Sequence, residues 1–315
     1  MVVYEYPFNN SEAIEECVLA LGFFDGVHIA HRDLIKRAKD ISDKRGLKLG
    51  IFSFSSGGSI KGSAKRLYGD GEKAEFFDAL GADFAIFADF GKIAGLSPEE
   101  FVKNTLCCEL NCAVCVAGFN FRFGKGASAG EKDLRGFMSD MGREAVICEE
   151  ITGVDGVTLS ASLIREMIAS GNIKSANSLL GAPYYIKGRV LHGRAVGRNI
   201  GFPTANIEIE PGRVLPLSGV YSTAIPIDGK IYLGVTNIGT CPTFEERAVH
   251  LETHIIDYNG NLYDKELKIF LLDFIRREMT FSSVEELKMQ INIDKNRVIN
   301  ENGDIKWQEL GLKLQ

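Results

Sequence analysis

The five histidines of the chain, at positions 28, 31, 192, 250 and 254, lie in or beside segments suited to binding a nucleotide. His28 and His31 follow a short apolar run and open a helical pattern, so their spacing places them on one face at a helix amino terminus. Free backbone N–H groups and the helix dipole favour phosphate there, and two imidazoles add donors near an α-phosphorus. The segment from Gly22 to His31, including Asp25, is therefore a candidate triphosphate site. Taken alone, it is equally well explained as two ordinary helix histidines.

Two later segments carry polar residues of the same kind. Asn120 follows a predicted strand within residues 118–124, and Ser162 and Arg165 open a helical pattern within residues 160–165. Loops at the carboxyl ends of parallel strands converge on one crevice. Asn120 is thus a candidate ligand for a ribose or phosphate, and Ser162 and Arg165 for a departing pyrophosphate. The alternatives are a strand edge with a solvent-directed arginine and an ordinary helix cap.

The second half of the chain contains a basic, glycine-rich segment over residues 193–206. Gly193 and Gly197 would let the backbone approach phosphates, and the side-chain oxygens of Thr204 and Asn206 suit a magnesium ion. Further on, Glu252 lies in a predicted strand, where a carboxylate could accept the proton of an alcohol nucleophile. A single glutamate of this kind is also often a salt-bridge partner.

The elements that must position these residues change in character near residue 180. Before it, short apolar runs alternate with helical patterns, which predicts a parallel sheet covered on both faces, an α/β fold of Rossmann-like type. The predicted strands are Val18–Phe24, Leu47–Phe54, Asp83–Phe87, Cys112–Ala117 and Ala145–Cys148. A helical stretch from Ser160 to Leu180, interrupted at Gly171 and ended by Gly181, predicts a domain boundary after residue 182.

After the boundary, short segments rich in β-branched and aromatic residues are separated by turn signals, which predicts a small antiparallel barrel. Its predicted strands include Val220–Ile225, Ile231–Val235, Leu251–Tyr258 and Leu267–Leu272. Ser282 or Ser283 then starts a closing helix with an apolar stripe of Val284, Leu287 and Ile291. Residues 55–66 are polar and glycine-rich, which predicts a flexible loop of the kind that often forms a lid.

Charge and composition limit the partners. The chain of 315 residues has 36 Lys and Arg against 42 Asp and Glu, a net charge of −6, so no basic surface for nucleic acid is expected. No apolar run approaches the roughly 18 residues of a membrane span, and no Lys or Arg precedes Arg32. These features predict a soluble cytoplasmic protein.

The seven cysteines are an odd number and do not suggest a disulfide framework. Cys112 and Cys115 have the spacing of half a zinc site. A strand over 112–118 is expected to point their side chains to opposite faces, which favours buried thiols over a metal site.

In their order along the chain, these motifs resemble those of the bacterial bifunctional riboflavin kinase and FMN adenylyltransferase family, also called FAD synthetase. The adenylyltransferase signatures correspond to residues 22–31, 118–124 and 160–165, and the kinase signatures to 201–206, 237–244, 252–254 and the late Arg276, Glu278 and Phe281. The resemblance implies a nucleotidyltransferase domain over residues 1–182 and a riboflavin kinase barrel with a terminal helix over 183–315. It also implies ATP and Mg²⁺ for both activities, riboflavin and FMN as substrates, and FMN and FAD as products.

The resemblance also implies roles for single residues. His28 and His31 would act in adenylyl transfer, Glu252 would be the kinase base, Thr204 and Asn206 would hold Mg²⁺, and Arg276 would lie at the flavin side of the kinase pocket.

Departures from the family pattern lie in the first half. Ala30 replaces a glycine between the two histidines, Phe23 stands at a usually polar position, Ala161 and Leu163 alter the serine-threonine element, and residues 55–58 replace a Pro-His-Pro. An added methyl at Ala30 could crowd the helix start. We therefore expect intact kinase activity and weaker adenylyl transfer. Two alternatives stay open here: a kinase whose first half only binds nucleotide or is structural, and a non-enzymatic flavin sensor.

Overall fold

The computed structural model describes residues 1–8, 14–55, 65–151, 158–192, 197, 200–242, 247–306 and 308. Contacts within the chain divide it into two units, Met1–Ala161 and Ser162–Gln315. This division places the helices on either side of Gly171 in the second unit. The domain boundary after residue 182 stays a prediction. In the described part of the chain, no helix combines the length and apolarity needed to cross a membrane.

The first unit is built on a six-stranded, entirely parallel sheet, as the alternating pattern predicted. Its strands, in the order β1-β4-β3-β2-β5-β6, are β1 (Val2–Tyr6), β2 (Cys17–Leu21), β3 (Lys48–Phe54), β4 (Phe84–Ala88), β5 (Cys112–Gly118) and β6 (Glu144–Cys148). The sequence analysis missed β1, which pairs with β4 at the sheet edge.

Helices cover both faces of this sheet, because alternate strand residues feed two separate apolar clusters. One face packs against α1 (Ile29–Arg45) and α2 (Asp70–Ala79), and the other against a π-helical segment (Phe101–Glu109) and α5 (Glu131–Asp140). Two short helices, α3 (Phe90–Ile93) and α4 (Pro98–Glu100), precede the π-helical segment. Burial on both faces explains why the central strands are apolar without alternation.

One expectation for the cysteines is wrong. A β-bulge opposite the Cys17/Val18 step adds one residue to β5, so Cys112 pairs with Cys17 while Val114 pairs with Val18. The extra residue restores Cys112 and Cys115 to the same apolar cluster instead of opposite faces. Cys17, Cys107, Cys108, Cys112, Cys115 and Cys148 are free thiols, and burial raises the pKa of Cys112 and Cys115. Five of these six thiols are buried, as favoured from the sequence, whereas Cys108 is exposed.

The helical stretch before the barrel divides at Gly171, whose φ of 83° ends the first of two helices, α6 (Ala161–Ala169) and α7 (Ile173–Leu180). Gly181, with a φ of 73°, ends α7 as predicted. Within the second unit, the Asn177 side chain links α7 to the strand Glu266–Arg276, since its amide donates to the Leu271 carbonyl at 2.8 Å. Its oxygen accepts the Tyr184 N–H, also at 2.8 Å.

The second unit contains a closed, antiparallel six-stranded barrel, which confirms the predicted class. Its strands, in the order β10-β11-β8-β7-β12-β9, are β7 (Tyr185–Leu191), β8 (Ala205–Ile207), β9 (Gly219–Ile227), β10 (Lys230–Pro242), β11 (Arg247–Ile255) and β12 (Glu266–Arg276). Inside it, the buried hydroxyl of Thr236 is 2.8 Å from that of Thr223 and 3.0 Å from that of Thr253.

A final helix, α8 (Val284–Asn302), packs on the outside of the barrel. Ser283 caps it by accepting the Glu286 N–H at 3.2 Å, and Glu286 reaches back to Ser282, as the serine and glutamate spacing predicted. Leu287 and Ile291 of the predicted stripe line a cavity, whereas Val284 is 47% exposed and lies outside it.

Candidate functional site

A strained turn joins β2 to α1 at the carboxyl edge of the parallel sheet. Phe24 and Val27 have φ values of 52° and 41°, and Gly26 lies between them at 81°. A β-branched residue such as Val27 rarely adopts positive φ, so the surrounding contacts must hold this conformation. Residues of this kind cluster at ligand sites, where strain fixes the geometry.

Three side-chain hydrogen bonds hold the turn. The Ser53 hydroxyl donates to the Phe23 carbonyl at 3.0 Å, and the Leu67 N–H donates to Asp25 Oδ1 at 2.9 Å. Arg32 Nε donates to the Val27 carbonyl at 2.9 Å. Asp25 thus links the turn to the segment that precedes α2. The three bonds together fix the direction in which the chain enters α1.

His28 and His31 lie side by side at that helix start, as predicted. Their rings stack with centroids 3.6 Å apart and 16° between the planes, and the His31 N–H donates to His28 Nδ1 at 3.4 Å. His28 Nδ1 accepts this hydrogen bond and so carries no proton. The proton of the neutral His28 ring is therefore on Nε2. His31 Nδ1 is buried, and it has no hydrogen-bond partner among the described residues. One helix N–H expected to be free, that of His31, is therefore occupied by the side chain of His28.

Burial keeps both imidazoles neutral near pH 7. It lowers the pKa of His28 to about 4. The pKa of His31 lies well below its ordinary value because of burial, then His28 and then Lys73. Neutral imidazoles donate one hydrogen bond each, so the pair can bind phosphate oxygens through N–H groups without carrying charge.

The other site residues predicted in the first half of the chain lie in different structural elements. The Gly22 N–H donates to the Phe52 carbonyl at 3.1 Å, and Asn120 is exposed in the turn after β5. Ser162 and Arg165 lie on α6 in the second unit, where the Arg165 guanidinium donates to the Ser162 hydroxyl at 2.8 Å. Their role in pyrophosphate binding stays a prediction.

In the second unit, strand register brings the predicted kinase residues into one row. Glu252 on β11 is opposite Asn206 on β8 and opposite Asn237 on β10. Val220 of β9 continues the row by pairing with both Asn237 and Arg276 of β12. Residues separated by tens of positions in sequence thus lie across neighbouring strands. The exposed carboxylate of Glu252 lies between two amides.

A cavity of about 350 Å³ opens over this row. Its polar lining includes Thr204, Asn237, Glu252 and Arg276. Its apolar lining comes from the loop before β8, from β9 and β10, from the segment between β12 and α8, and from α8: Ile200, Phe202, Val220, Val235, Met279, Phe281, Leu287 and Ile291. A mostly apolar cavity with a few convergent polar groups is the usual form of a site for a planar organic ligand.

A second cavity, of about 440 Å³, adjoins the first at Thr204, which lines both. Tyr258, Asn259, Asn261 and Tyr263 contribute to its wall. The Phe202 N–H donates to the Gly197 carbonyl at 2.8 Å, and a Cβ on Gly197 would lie 2.3 Å from the Phe202 carbonyl oxygen. Only glycine therefore fits at 197, whereas Gly193 and the rest of the glycine-rich loop (193–196 and 198–199) lie outside the described residues.

Arg276 is clamped to the terminal helix. Its Nε lies 3.0 Å and its Nη2 2.8 Å from Asp294 Oδ2, and Gln290 adds a bond of 2.9 Å to Asp294 Oδ1. Asp294 is 2% exposed. Arg276 thus forms an ion pair with a buried acidic neighbour, and it also lines the first cavity. Its placement at the flavin side stays a prediction.

Asn237 and Asp294 were not singled out as site residues from the sequence. Asn237 stood inside a kinase signature, and only the register shows that it neighbours Glu252. Asp294 had no local signal, because its importance comes from the packing of α8. Thr243 and Phe244 of that signature, and residues 56–58 of the substituted Pro-His-Pro, lie outside the described residues.

Among the described residues, no group of three or more His, Cys, Asp or Glu side chains could hold a metal ion. Thr204 and Asn206 offer a hydroxyl and an amide oxygen beside Glu252, and Mg²⁺ commonly completes such a partial set with phosphate oxygens and water. This donor set fits magnesium bound together with a nucleotide.

Residues 10–162 match the FAD synthetase family, and residues 180–301 match the riboflavin kinase family. The chain is 38% identical over 290 residues to a bifunctional riboflavin kinase/FMN adenylyltransferase of Listeria monocytogenes, covering 88% of this chain and 90% of the relative. It is 36% identical over 293 residues to the protein of the same name from Bacillus subtilis, with 90% and 91% covered.

Among solved structures, one described as a macrolide-efflux protein from Streptococcus pneumoniae is similar, with a TM-score of 0.85 and 28% identity. The likeness covers 96% of this chain and 99% of that one. Similarity therefore extends over both units.

Proposed function

Because the chain belongs to the bifunctional riboflavin kinase/FMN adenylyltransferase family, we propose that it phosphorylates riboflavin to FMN and then adenylylates FMN to FAD. ATP supplies the γ-phosphoryl group in the first reaction and the AMP group in the second, which releases pyrophosphate. The observation that carries the kinase assignment is the pairing of Glu252 with Asn237 across neighbouring strands, where both residues line a mostly apolar cavity.

In the kinase unit, the isoalloxazine of riboflavin occupies the first cavity, whose lining is mostly apolar. The ribityl chain extends toward Glu252, which accepts the proton of the 5′-hydroxyl as that oxygen attacks the γ-phosphorus. Arg276 lies at the flavin side of this cavity. Asn206 and Asn237 flank Glu252 in strand register, and the Asn237 amide donates to Glu278 at 3.3 Å, which fixes its position beside the reacting groups.

ATP occupies the second cavity with its phosphates at Thr204, where the two cavities meet. Gly197 permits the close approach of its own backbone to Phe202 and Thr204. Thr204 and Asn206 would hold Mg²⁺, which neutralises charge on the transferred phosphoryl group when bound. The chain's own contribution is mainly to place hydroxyl, base and phosphate in line.

In the first unit, the triphosphate of a second ATP binds at the start of α1. His28 donates from Nε2, and both imidazoles stabilise charge that develops on the α-phosphate as the FMN phosphate attacks. Asn120, in the turn after β5, contacts the nucleotide. Ala30 is half-buried in the first turn of α1, so its methyl group lowers the rate of this step relative to glycine.

The reaction is tested by incubating the purified protein with riboflavin, ATP and Mg²⁺ and separating FMN from FAD over time. We expect FMN first and FAD later, and FAD directly when FMN is supplied. The matched controls omit Mg²⁺ or ATP. FMN without any FAD, even from added FMN, would leave only the kinase, and no FMN would refute the kinase assignment.

A further inference from the structure

Lys73, in the first turn of α2, is a buried cation that the adenylyl-transfer mechanism above does not use. The residue is 4% exposed. Its ammonium group lies 5.0 Å from the centroid of the Phe87 ring. Lysine is seldom buried unless it is paired, so its placement beneath this edge of the sheet needs a reason.

Three acceptors surround Lys73 Nζ. The Phe54 carbonyl is 2.8 Å away, Asp70 Oδ1 is 3.2 Å away and the Ser53 hydroxyl oxygen is 3.3 Å away. Three acceptors match the three N–H bonds of a protonated lysine, whereas a neutral amine has only two. Burial lowers the pKa of Lys73, and Asp70 opposes this by raising it. The three acceptors therefore indicate a positive charge held at the carboxyl end of β3.

This ammonium connects to the strained turn through a single hydroxyl. Ser53 accepts from Lys73 and donates to the Phe23 carbonyl at 3.0 Å, one residue before the positive-φ Phe24. A hydroxyl that accepts from a cation donates more strongly, because the two bonds polarise each other. Lys73 thus strengthens one of the three bonds that hold the turn.

Lys73 also lies within electrostatic range of the site itself. Besides Asp70, the charged groups around it are Asp25 and Arg66, and its charge acts on His31, which stacks on His28. Burial, His28 and Lys73 each lower the pKa of His31. A neutral His31 is thereby maintained beside His28.

We propose that Lys73 is a positioning residue for adenylyl transfer, which braces the turn before α1 through Ser53. The inference rests on the proposed function of the first unit. Lys73 itself has no N–H left for a substrate, so it acts through the turn and through His31.

The test compares Lys73→Met, which removes the charge at similar length, with Lys73→Arg, which keeps it. Lys103→Met serves as the matched control, because Lys103 pairs only across one helical turn with Glu99 at 2.7 Å on the surface. For each protein, FAD formation from FMN is measured against pH, FMN formation from riboflavin is measured alongside, and the His31 imidazole is titrated by NMR.

We expect Lys73→Met to reduce kcat/KM for FAD formation about 10- to 100-fold, the effect of misplacing groups at a site. The NMR titration of His31 and the acid limb of the FAD pH profile should both move to higher pH. Lys73→Arg should keep the His31 titration of the unmodified protein and recover much of the rate. FMN formation and the Lys103→Met control should be unchanged.

Two results would overturn the inference. One is undiminished FAD formation by Lys73→Met. The other is a loss shared by Lys73→Met and Lys73→Arg with no movement of the His31 titration, which is the behaviour of a merely structural lysine. Absence of FAD formation by the unmodified protein would instead refute the proposed adenylyl transfer, and the His31 titration would still show whether Lys73 acts on that imidazole.

Discussion

At the scale of single residues, the kinase chemistry depends on the exposed carboxylate of Glu252. Glu252→Gln keeps the size and one acceptor oxygen but cannot accept a proton at neutral pH. We expect FMN formation to fall by about 10² to 10⁴ while riboflavin and ATP still bind, since general bases contribute rate increases of that size. Initial rates and calorimetric titrations measure the two effects.

The matched control for this variant is Glu266→Gln on β12, where the carboxylate lies 2.9 Å from surface Lys187. That change should leave the rate of FMN formation unaltered. FMN formation at the normal rate by Glu252→Gln would remove Glu252 from the mechanism.

The buried His28 makes the stability of the first unit depend on pH. Burial lowers its folded pKa to about 4, below the ordinary 6.5, so the unfolded chain binds the proton more readily. The stabilisation is present above about pH 6.5 and is lost as pH falls toward 4, by about 2 kcal/mol between pH 7 and pH 5. His31 acts in the same direction.

Urea unfolding at pH 7 and pH 5 measures this loss, and His28→Asn is the comparison, because asparagine is a good helix cap that does not titrate. We expect a smaller loss of unfolding free energy in His28→Asn. An equal loss in both proteins would show that His28 is not the group that takes up the proton.

At the scale of elements, the bond between β12 and α8 supports the wall of the first cavity. Removing Asp294 would leave the Arg276 guanidinium, 19% exposed, without its carboxylate. Breaking such a buried pair costs about 3–5 kcal/mol. Asp294→Ala should therefore lower the unfolding free energy of the second unit by that amount and weaken riboflavin binding, because Leu287 and Ile291 come from α8. Urea unfolding and calorimetry measure both effects.

The control is Asp257→Ala, which removes an 81% exposed carboxylate 3.6 Å from Lys295 of the same helix and should cost about 0–1 kcal/mol. Arg276→Ala completes the comparison. If Arg276 contacts flavin, this variant weakens riboflavin binding more than ATP binding, and more than Asp294→Ala does. Equal riboflavin affinities in the two variants would limit Arg276 to clamping α8.

The elements also show how far the sequence could predict this protein. Strands with strong apolar runs, the break at Gly171 and the Ser283 cap were predictable, because each depends on local chemistry. Edge strand β1 and the bulge beside Cys112 were not, since pairing with distant strands creates them. Likewise, motifs identified Glu252, but only strand register places Asn206 and Asn237 on either side of it.

At the scale of the whole molecule, the two proposed reactions form a sequence, because the FMN made by the second unit is the acceptor for the first. Each candidate site is built from its own sheet: the His28 and His31 turn from the parallel sheet, and the Glu252 row from the barrel. Among the described residues, the contacts that build one site involve no residue of the other site. The two activities should therefore be separable by single substitutions.

Mixing two inactivated proteins tests this separation. His28→Ala should form FMN from riboflavin but no FAD, whereas Glu252→Gln should form FAD from added FMN but almost none from riboflavin. Given riboflavin, ATP and Mg²⁺, neither variant alone should accumulate FAD, and an equimolar mixture should do so after a lag in which FMN builds up in solution. The lag should shorten as the His28→Ala protein is increased, because that protein supplies the FMN. If the mixture makes FMN but no FAD, although Glu252→Gln converts added FMN, then FMN is not released at a useful concentration and the two reactions are coupled within one chain.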